Sequence, residues 1–297
     1  MFCLVGNVPS SGSSLLSDLL DSTTYTASGP EIEFFCNKYF YDFAWFQNNF
    51  GKTSHLFNLR STGIFPRYDR LDAYGLTKIK LKKMVTESAN IEQFLDNFSH
   101  HYLKFRNKDQ KGIVFEKTPQ NINCIKEYLR NYPGGYFLTI VRNPLYVYNS
   151  LLNRKWGNYT ALATWLVIAS KIIQFLDNDR VILLKYEELV EKPFKSIASI
   201  MNKISGRNID SQLIKKGYQN NTYRDNYTSG LKSWEANTRS GIINANNKAI
   251  SIERKREFTK ILNLKIGKIY ANHYNLPEIS YLDAIEKLGY SGLVTKL

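Results

Sequence analysis

The stretch Pro9-Ser10-Ser11-Gly12-Ser13-Ser14 constrains this chain more than any other. It follows an apolar run, Phe2-Cys3-Leu4-Val5-Gly6, and precedes an amphipathic run carrying Leu15, Leu16, Leu19 and Leu20. That order predicts a strand, a tight loop and a helix. A Gly- and Ser-rich turn at a helix N-terminus gathers unpaired backbone N–H groups, the positive end of the helix dipole and hydroxyl donors at one point. Such a point holds phosphate or sulfate. An ordinary turn with serine at the N-cap has the same local signature, so the rest of the chain must decide.

Short apolar runs at Phe2–Val5, Tyr25–Ala27, Gly112–Phe115, Tyr136–Val141 and Val181–Lys185 read as strands. Helical patterns alternate with them at Ser13–Leu20, Glu33–Phe50, Asn90–Phe105, Pro119–Asn131, Pro144–Asn153 and Thr160–Asp177. This alternation predicts an α/β fold, with a parallel central sheet flanked by helices. Beyond about residue 190 the pattern turns helical and polar, over Pro193–Ile204, Ile209–Tyr218 and Ile250–Tyr274. We read residues 1–297 as one domain with a helical C-terminal part. Residues 51–85 and 219–249 form irregular segments suited to an acceptor site or a lid. Ligands of parallel sheets bind at the carboxyl ends of the strands, so loops 6–12, 116–119 and 142–144 should share one rim.

Forty basic residues against twenty-six acidic ones give a net charge of +14, which suits a polyanionic partner. The lysines are scattered apart from a cluster at Lys78–Lys83, and there is no zinc-ligand spacing or aromatic-glycine RNA signature. Nucleic acid is therefore disfavoured and a phosphate-rich cofactor favoured. Cys3, Cys36 and Cys124 are widely spaced and odd in number, which points to a reducing cytoplasm rather than disulfides or a metal site. The apolar opening is short and lacks a basic leader, and the longest apolar run, Ala161–Leu176, is broken by Thr164, Ser170, Lys171 and Gln174. Neither a secretory signal nor a membrane span is expected.

A second diagnostic run is Ile140-Val141-Arg142-Asn143-Pro144, with Ser150 beyond it. A buried strand delivers Arg142 at its end, Asn143 suits an N-cap and Pro144 the first helical position. Ser150 then lies about 9 Å along that helix. An arginine fork and a serine hydroxyl can clamp one phosphomonoester from two sides.

Together these runs resemble the sulfotransferases that use 3′-phosphoadenosine-5′-phosphosulfate (PAPS). Pro9–Ser14 is similar to their 5′-phosphosulfate loop, and Arg142-Asn-Pro with Ser150 to their 3′-phosphate motif. Phe115-Glu-Lys-Thr-Pro119 and Lys185-Tyr-Glu-Glu-Leu-Val190 resemble further family segments in family order, so that the likeness covers residues 1 to about 205. It implies a P-loop-like nucleotide-binding sulfotransferase fold, PAPS as donor, PAP as product and no metal. It places Ser10, Ser11, Gly12, Ser13 and Ser14 on the phosphosulfate, and Arg142 and Ser150 on the 3′-phosphate. Lys117 falls beside the bridging oxygen of the leaving phosphate. Glu31, two residues after Gly29, falls where the tyrosylprotein-type branch carries its catalytic base. Tyr186 is a candidate for adenine contact, weighed against packing under the sheet. Arg239, in Arg239-Ser-Gly241, is similar to a late phosphate-binding loop, with Lys232 as a rival. Ser10 departs from the family, which carries Arg or Lys there.

The implied reaction is in-line sulfuryl transfer, governed by positioning and charge stabilisation. Glu33, His55, His100 and His101 are rival bases to Glu31. The expected acceptor is a small soluble molecule sulfated on oxygen or nitrogen. Ser-Ser-Gly-Ser-Ser and Gly-Pro-Glu-Ile-Glu-Phe-Phe look similar to cyanobacterial enzymes of secondary metabolism, including those of toxin biosynthesis that tailor saxitoxin-type guanidinium alkaloids. The aromatic run from Phe34 to Phe50 is expected to fill a helical core and to spill onto the acceptor side. Alternatives are a non-catalytic nucleotide-binding scaffold, suggested by Ser10, and a glycan sulfotransferase. A P-loop kinase is disfavoured, because no Gly-Lys-Ser/Thr ends the loop.

Overall fold

A computed structural model describes residues 1–50, 70–221, 242, 249–267, 271–272 and 276–292. Strands β1 (Phe2–Asn7), β2 (Thr26–Ser28), β3 (Ile113–Lys117), β4 (Tyr136–Val141) and β5 (Val181–Lys185) form one parallel sheet in the order β2-β3-β1-β4-β5. Leu4 pairs with Glu116, Val5 with Lys117 and Asn7 with Ile140, so the ends of β3, β1 and β4 stand side by side. β1 and β3 each run two residues beyond the apolar signal, because Asn7, Glu116 and Lys117 are polar yet buried. The chain leaves β1 toward β2 and leaves β4 toward β5. Connections that part in opposite directions open a crevice between the strand ends.

Alternation along the strands divides the core. Cys3, Val5, Ile113, Phe115, Leu138 and Ile140 pack with α1 (Ser13–Leu20) and α9 (Pro193–Ser205). Phe2, Leu4, Val114, Phe137 and Val141 meet the other cluster, which includes α4 (Ile91–Phe105), α5 (Ile125–Asn131), α6 (Pro144–Asn153) and α7 (Asn158–Ile173). Both faces of the sheet are covered, as a parallel sheet requires.

The predicted helix Glu33–Phe50 does not form as one element. Glu33 adopts a left-handed φ of 55°, a 3₁₀ turn follows at Lys38–Tyr41, and α2 spans only Phe43–Asn49. Asn37 and Asp42 cap in succession, accepting from the backbone N–H groups of Tyr39 and Trp45, so the chain starts a helical segment twice. The break lets Phe34, Phe35, Phe40 and Phe46 converge on one cluster with Phe94, which a single helix face cannot do. Pro119–Asn131 divides likewise into a 3₁₀ turn (Pro119–Cys124) and α5. Thr160–Asp177 is shifted to Asn158–Ile173, and within Ile250–Tyr274 a helix is seen at Ile252–Thr259. The lysines of α3 (Lys78–Glu87) point to solvent.

Asp21 closes the end of α1. Its carboxylate accepts from Ser28 N (3.0 Å), Arg106 Nη2 (2.8 Å) and Asn221 Nδ2 (2.7 Å), tying α1 to β2, α4 and the end of α10 (Ser211–Asn220). The Asp21 and Arg106 side chains are only 5% and 6% exposed. Removing one partner of such a pair strands the other charge. Asp21→Ala is therefore expected to lower stability by about 3–5 kcal/mol in urea unfolding, and Asp21→Asn by less.

Candidate active site

β1 ends in Asn7 and the chain turns through Pro9–Gly12 into α1. Ser10 and Gly12 both take left-handed φ values, 65° and 88°. Such backbone directs successive N–H groups inward, and the first turn of α1 adds its own unpaired donors. The hydroxyls of Ser10 and Ser11 are buried without a hydrogen-bond partner. Orphaned hydroxyl donors at a helix N-terminus fit an oxyanion. Ser13 and Ser14 are half-buried at the start of α1. A Cβ on Gly12 would stand 2.4 Å from the Tyr186 ring, so that ring is the floor of the loop.

Arg142 leaves the end of β4, only 6% exposed. Its Nη1 donates to the Ser10 carbonyl (3.0 Å), and its guanidinium lies 4.6 Å from the Tyr186 ring centroid and 5.7 Å from that of Tyr146. Burial lowers the pKa of this guanidinium, and Tyr186, Glu187 and Tyr146 oppose the shift; an arginine nonetheless stays charged. Next to it, Glu187 accepts from Asn143 N (3.1 Å) and from the Tyr290 hydroxyl (2.8 Å). Asn143, Tyr146 and Ser150 form the half-buried stripe of α6 at helical spacing. Ser150 thus shares a face with the ring that borders Arg142. Tyr186 is 4% exposed, beneath Gly12 and against Arg142. Arg239 and Lys232 lie outside the described residues, as do His55, residues 51–69 and most of 219–249.

On the other side of β1, Lys117 closes β3. Its Nζ donates to Glu31 Oε1 in an ion pair, with Lys117 2% and Glu31 20% exposed. The turn carrying Glu31 is gripped through its backbone. Tyr74 donates to the Pro30 carbonyl (2.6 Å) and Arg70 to the Glu31 carbonyl (2.8 Å). Ile32 N donates to Glu116 Oε1 (3.3 Å) and Glu33 N to Thr118 Oγ1 (3.3 Å). Gly29 admits the turn between Tyr74 and Tyr102, whose atoms would lie 2.7–2.8 Å from a Cβ there. His101 faces the Gly75 carbonyl (3.1 Å) and His100 is exposed on α4, so neither joins this group.

A model described as the sulfotransferase family matches residues 4–205, more than half of the chain. The chain belongs to the sulfotransferase family. It is an enzyme of sulfuryl transfer. Its fold is shared with the sulfotransferase domain of the Synechococcus PCC 7002 olefin synthase (TM-score 0.50, 18% identity, 88% of this chain and 93% of that one). The sulfotransferase domain of the curacin biosynthetic pathway (TM-score 0.49, 14% identity, 88% and 96% covered) is also similar. So is mouse sulfotransferase SULT7A1 complexed with PAP (TM-score 0.43, 13% identity, 100% and 86% covered). No curated protein sequence matches the chain.

In this sulfotransferase a cleft of about 1350 Å³ opens beside the Glu31–Glu33 turn. Glu33, Cys36 and Gln120 line one part of it, and Thr164, Lys171 and Leu276 are among the residues lining the rest. Phe34, Phe35, Phe40 and Phe46 are buried, whereas Tyr39 and Trp45 remain partly exposed with centroids 5.2 Å apart. Of that run only Tyr39 reaches the cleft. No metal-ligating cluster is found among the described residues, and no described helix is long and apolar enough to cross a membrane.

Glu116 has no assigned role in the sequence reading, although a charged residue inside a strand of a central sheet is itself a signal. It is fully buried, and its carboxylate accepts from Thr118 Oγ1 (2.6 Å), Ile32 N and Asn121 Nδ2 (2.6 Å). Burial pushes its pKa up to about 7, against the lowering effect of these donors and of Lys117. The unfolded chain releases this proton first, near the ordinary value of 4.5. The stabilising contribution is therefore complete below about pH 4.5 and is lost as pH rises through about 7, a change of about 3 kcal/mol. Urea unfolding between those pH values should show this decline, and Glu116→Gln should flatten it.

Proposed function

We propose that the chain is a single PAPS-dependent sulfotransferase domain, with Glu31 as general base and the adjoining cleft as the acceptor site. The Glu31–Lys117 ion pair carries this reading. It sets a reachable carboxylate against a buried cation, at the strand end next to the loop whose serine hydroxyls lack partners. PAPS, when bound, supplies a sulfuryl group on a phosphate leaving group. The loop N–H groups with Ser10, Ser11, Ser13 and Ser14 would hold the 5′ end, and Arg142 with Ser150 the 3′-phosphate. Glu31 takes the proton from the acceptor hydroxyl or nitrogen, and Lys117 offsets charge that develops on the bridging oxygen. Ser10 lacks the cation its family counterpart carries, which leaves the loop N–H groups and Lys117 to meet the charge at the 5′ end.

The acceptor is read as a small natural product, such as a saxitoxin-type guanidinium alkaloid. Glu33 lines the cleft two residues from the base and would meet a cationic acceptor there, beside Lys38, Lys126 and Lys171 on the same lining. Three free thiols, Cys3, Cys36 and Cys124, suit a reducing cytoplasm.

Calorimetric titration with PAP should show binding, and Arg142→Ala should weaken it by about 10- to 100-fold, as loss of a charge-assisted contact implies. Absence of binding to the wild-type protein would remove the nucleotide assignment. Glu31→Gln should keep PAP affinity and lose about 10²- to 10⁴-fold in turnover of labelled PAPS. A rate near wild type would assign the base elsewhere. Guanidinium alkaloids and neutral alcohols, offered in parallel, separate the acceptor classes.

A further inference from the structure

We propose that Glu116 is the positioning residue of this site, holding the Glu31–Glu33 turn in register with Lys117. The inference rests on Glu31 being the base. A carboxylate inside a central strand is costly to bury, and here every hydrogen-bonding partner it has is a donor. One oxygen takes Thr118 Oγ1 and Ile32 N, and the other takes Asn121 Nδ2. Thr118 relays the grip, since its hydroxyl oxygen accepts from Glu33 N. The left-handed φ of Glu33 belongs to backbone that turns successive N–H groups toward one centre. That conformation is strained for a non-glycine residue, and the bonds to Glu116 on β3 and to Thr118 just beyond it offset the strain.

The turn is consequently fixed from two sides. Tyr74 and Arg70 hold its carbonyls, Glu116 and Thr118 hold its N–H groups, and the Glu31 side chain meets Lys117. Asn121 extends the connection, because its Nδ2 also reaches the Val5 carbonyl (3.1 Å) on the strand that launches the opening loop. All of these donors fit the ionised carboxylate. A proton on Glu116 would turn an accepting oxygen into a donor and displace one of them. Burial places that event near pH 7. The titratable groups around Glu116 are Lys117 on its own strand, and Glu31, Glu33, Cys36 and Tyr41 on the segment packed against it. Cys36 and Tyr41 are pushed upward by burial and stay neutral there.

The test is the kcat and KM of Glu116→Gln and Thr118→Val with PAPS, from pH 5.5 to 8.5, beside PAP titration. Glu116→Gln is expected to lower kcat by about 10- to 100-fold, as a misplaced catalytic group does, with PAP affinity kept within about twofold. It should also remove a fall in kcat centred near pH 7 that the wild type shows on acidification. Thr118→Val, which breaks only the relay and a single bond to Glu116, should lower kcat by less and be non-additive with Glu116→Gln. Glu116→Asp keeps the charge and should retain the limb near pH 7. An unchanged kcat and pH profile in Glu116→Gln would overturn the proposal. So would equal losses in kcat and PAP binding, which mark a merely structural role. Should Glu116→Gln fail to fold, Thr118→Val decides: wild-type kcat there sinks the idea. A Glu31→Gln variant with full turnover defeats the base assignment instead, so the two failures are told apart.

Discussion

The bond from Arg142 to the carbonyl of Ser10 joins two loops that the sheet merely sets side by side. Parallel strands bring their carboxyl ends to one edge, but each loop beyond that edge is free to take its own course. Here a guanidinium from β4 reaches the backbone of the turn after β1, and the ring of Tyr186 lies beneath both. Burial has already removed water from that cation. An arriving anion meets donors that need no reorganisation, which is how fixed charge contributes most to binding and to rate.

The Glu31 side of the edge is organised on a different principle. Lys117 meets the Glu31 side chain, whereas Arg70 takes the Glu31 carbonyl. The grip is on backbone, from four side chains that come from β3, its following loop and residues 70–74. A carboxylate held in this way can exchange a proton without its supporting frame altering. Glu31 remains one-fifth exposed while its partner Lys117 is almost sealed, so solvent reaches the pair from the carboxylate side.

Much of this was readable in the sequence. The strands from Tyr136 and Val181 and the helix from Pro144 appear where apolar runs, Asn143 and Pro144 placed them. Glu31, Lys117, Arg142 and the serine loop do come to one edge, because β3, β1 and β4 are parallel neighbours and Glu31 pairs with Lys117. The aromatic stretch after Glu33 was misread as one helix. Its periodicity was real, but two capping side chains and a left-handed residue interrupt it, and neither leaves a mark on hydrophobic spacing. Glu116 went unassigned for a related reason. Motif matching attends to the lysine beside it, whereas its partners come from residues 32, 118 and 121 and meet only once the chain has folded.

The hydroxyl of Tyr290 has an implication for the order in which the molecule matures. It binds Glu187, which in turn receives the N–H of Asn143, and Lys185 donates to the Gly289 carbonyl (2.9 Å). Residues near the start of the chain and residues near position 290 therefore brace the same edge. During synthesis the sheet can assemble as soon as β5 emerges, yet the Arg142 corner gains its last brace only when some hundred further residues have left the ribosome. The anion edge is consequently among the last parts of this molecule to become rigid.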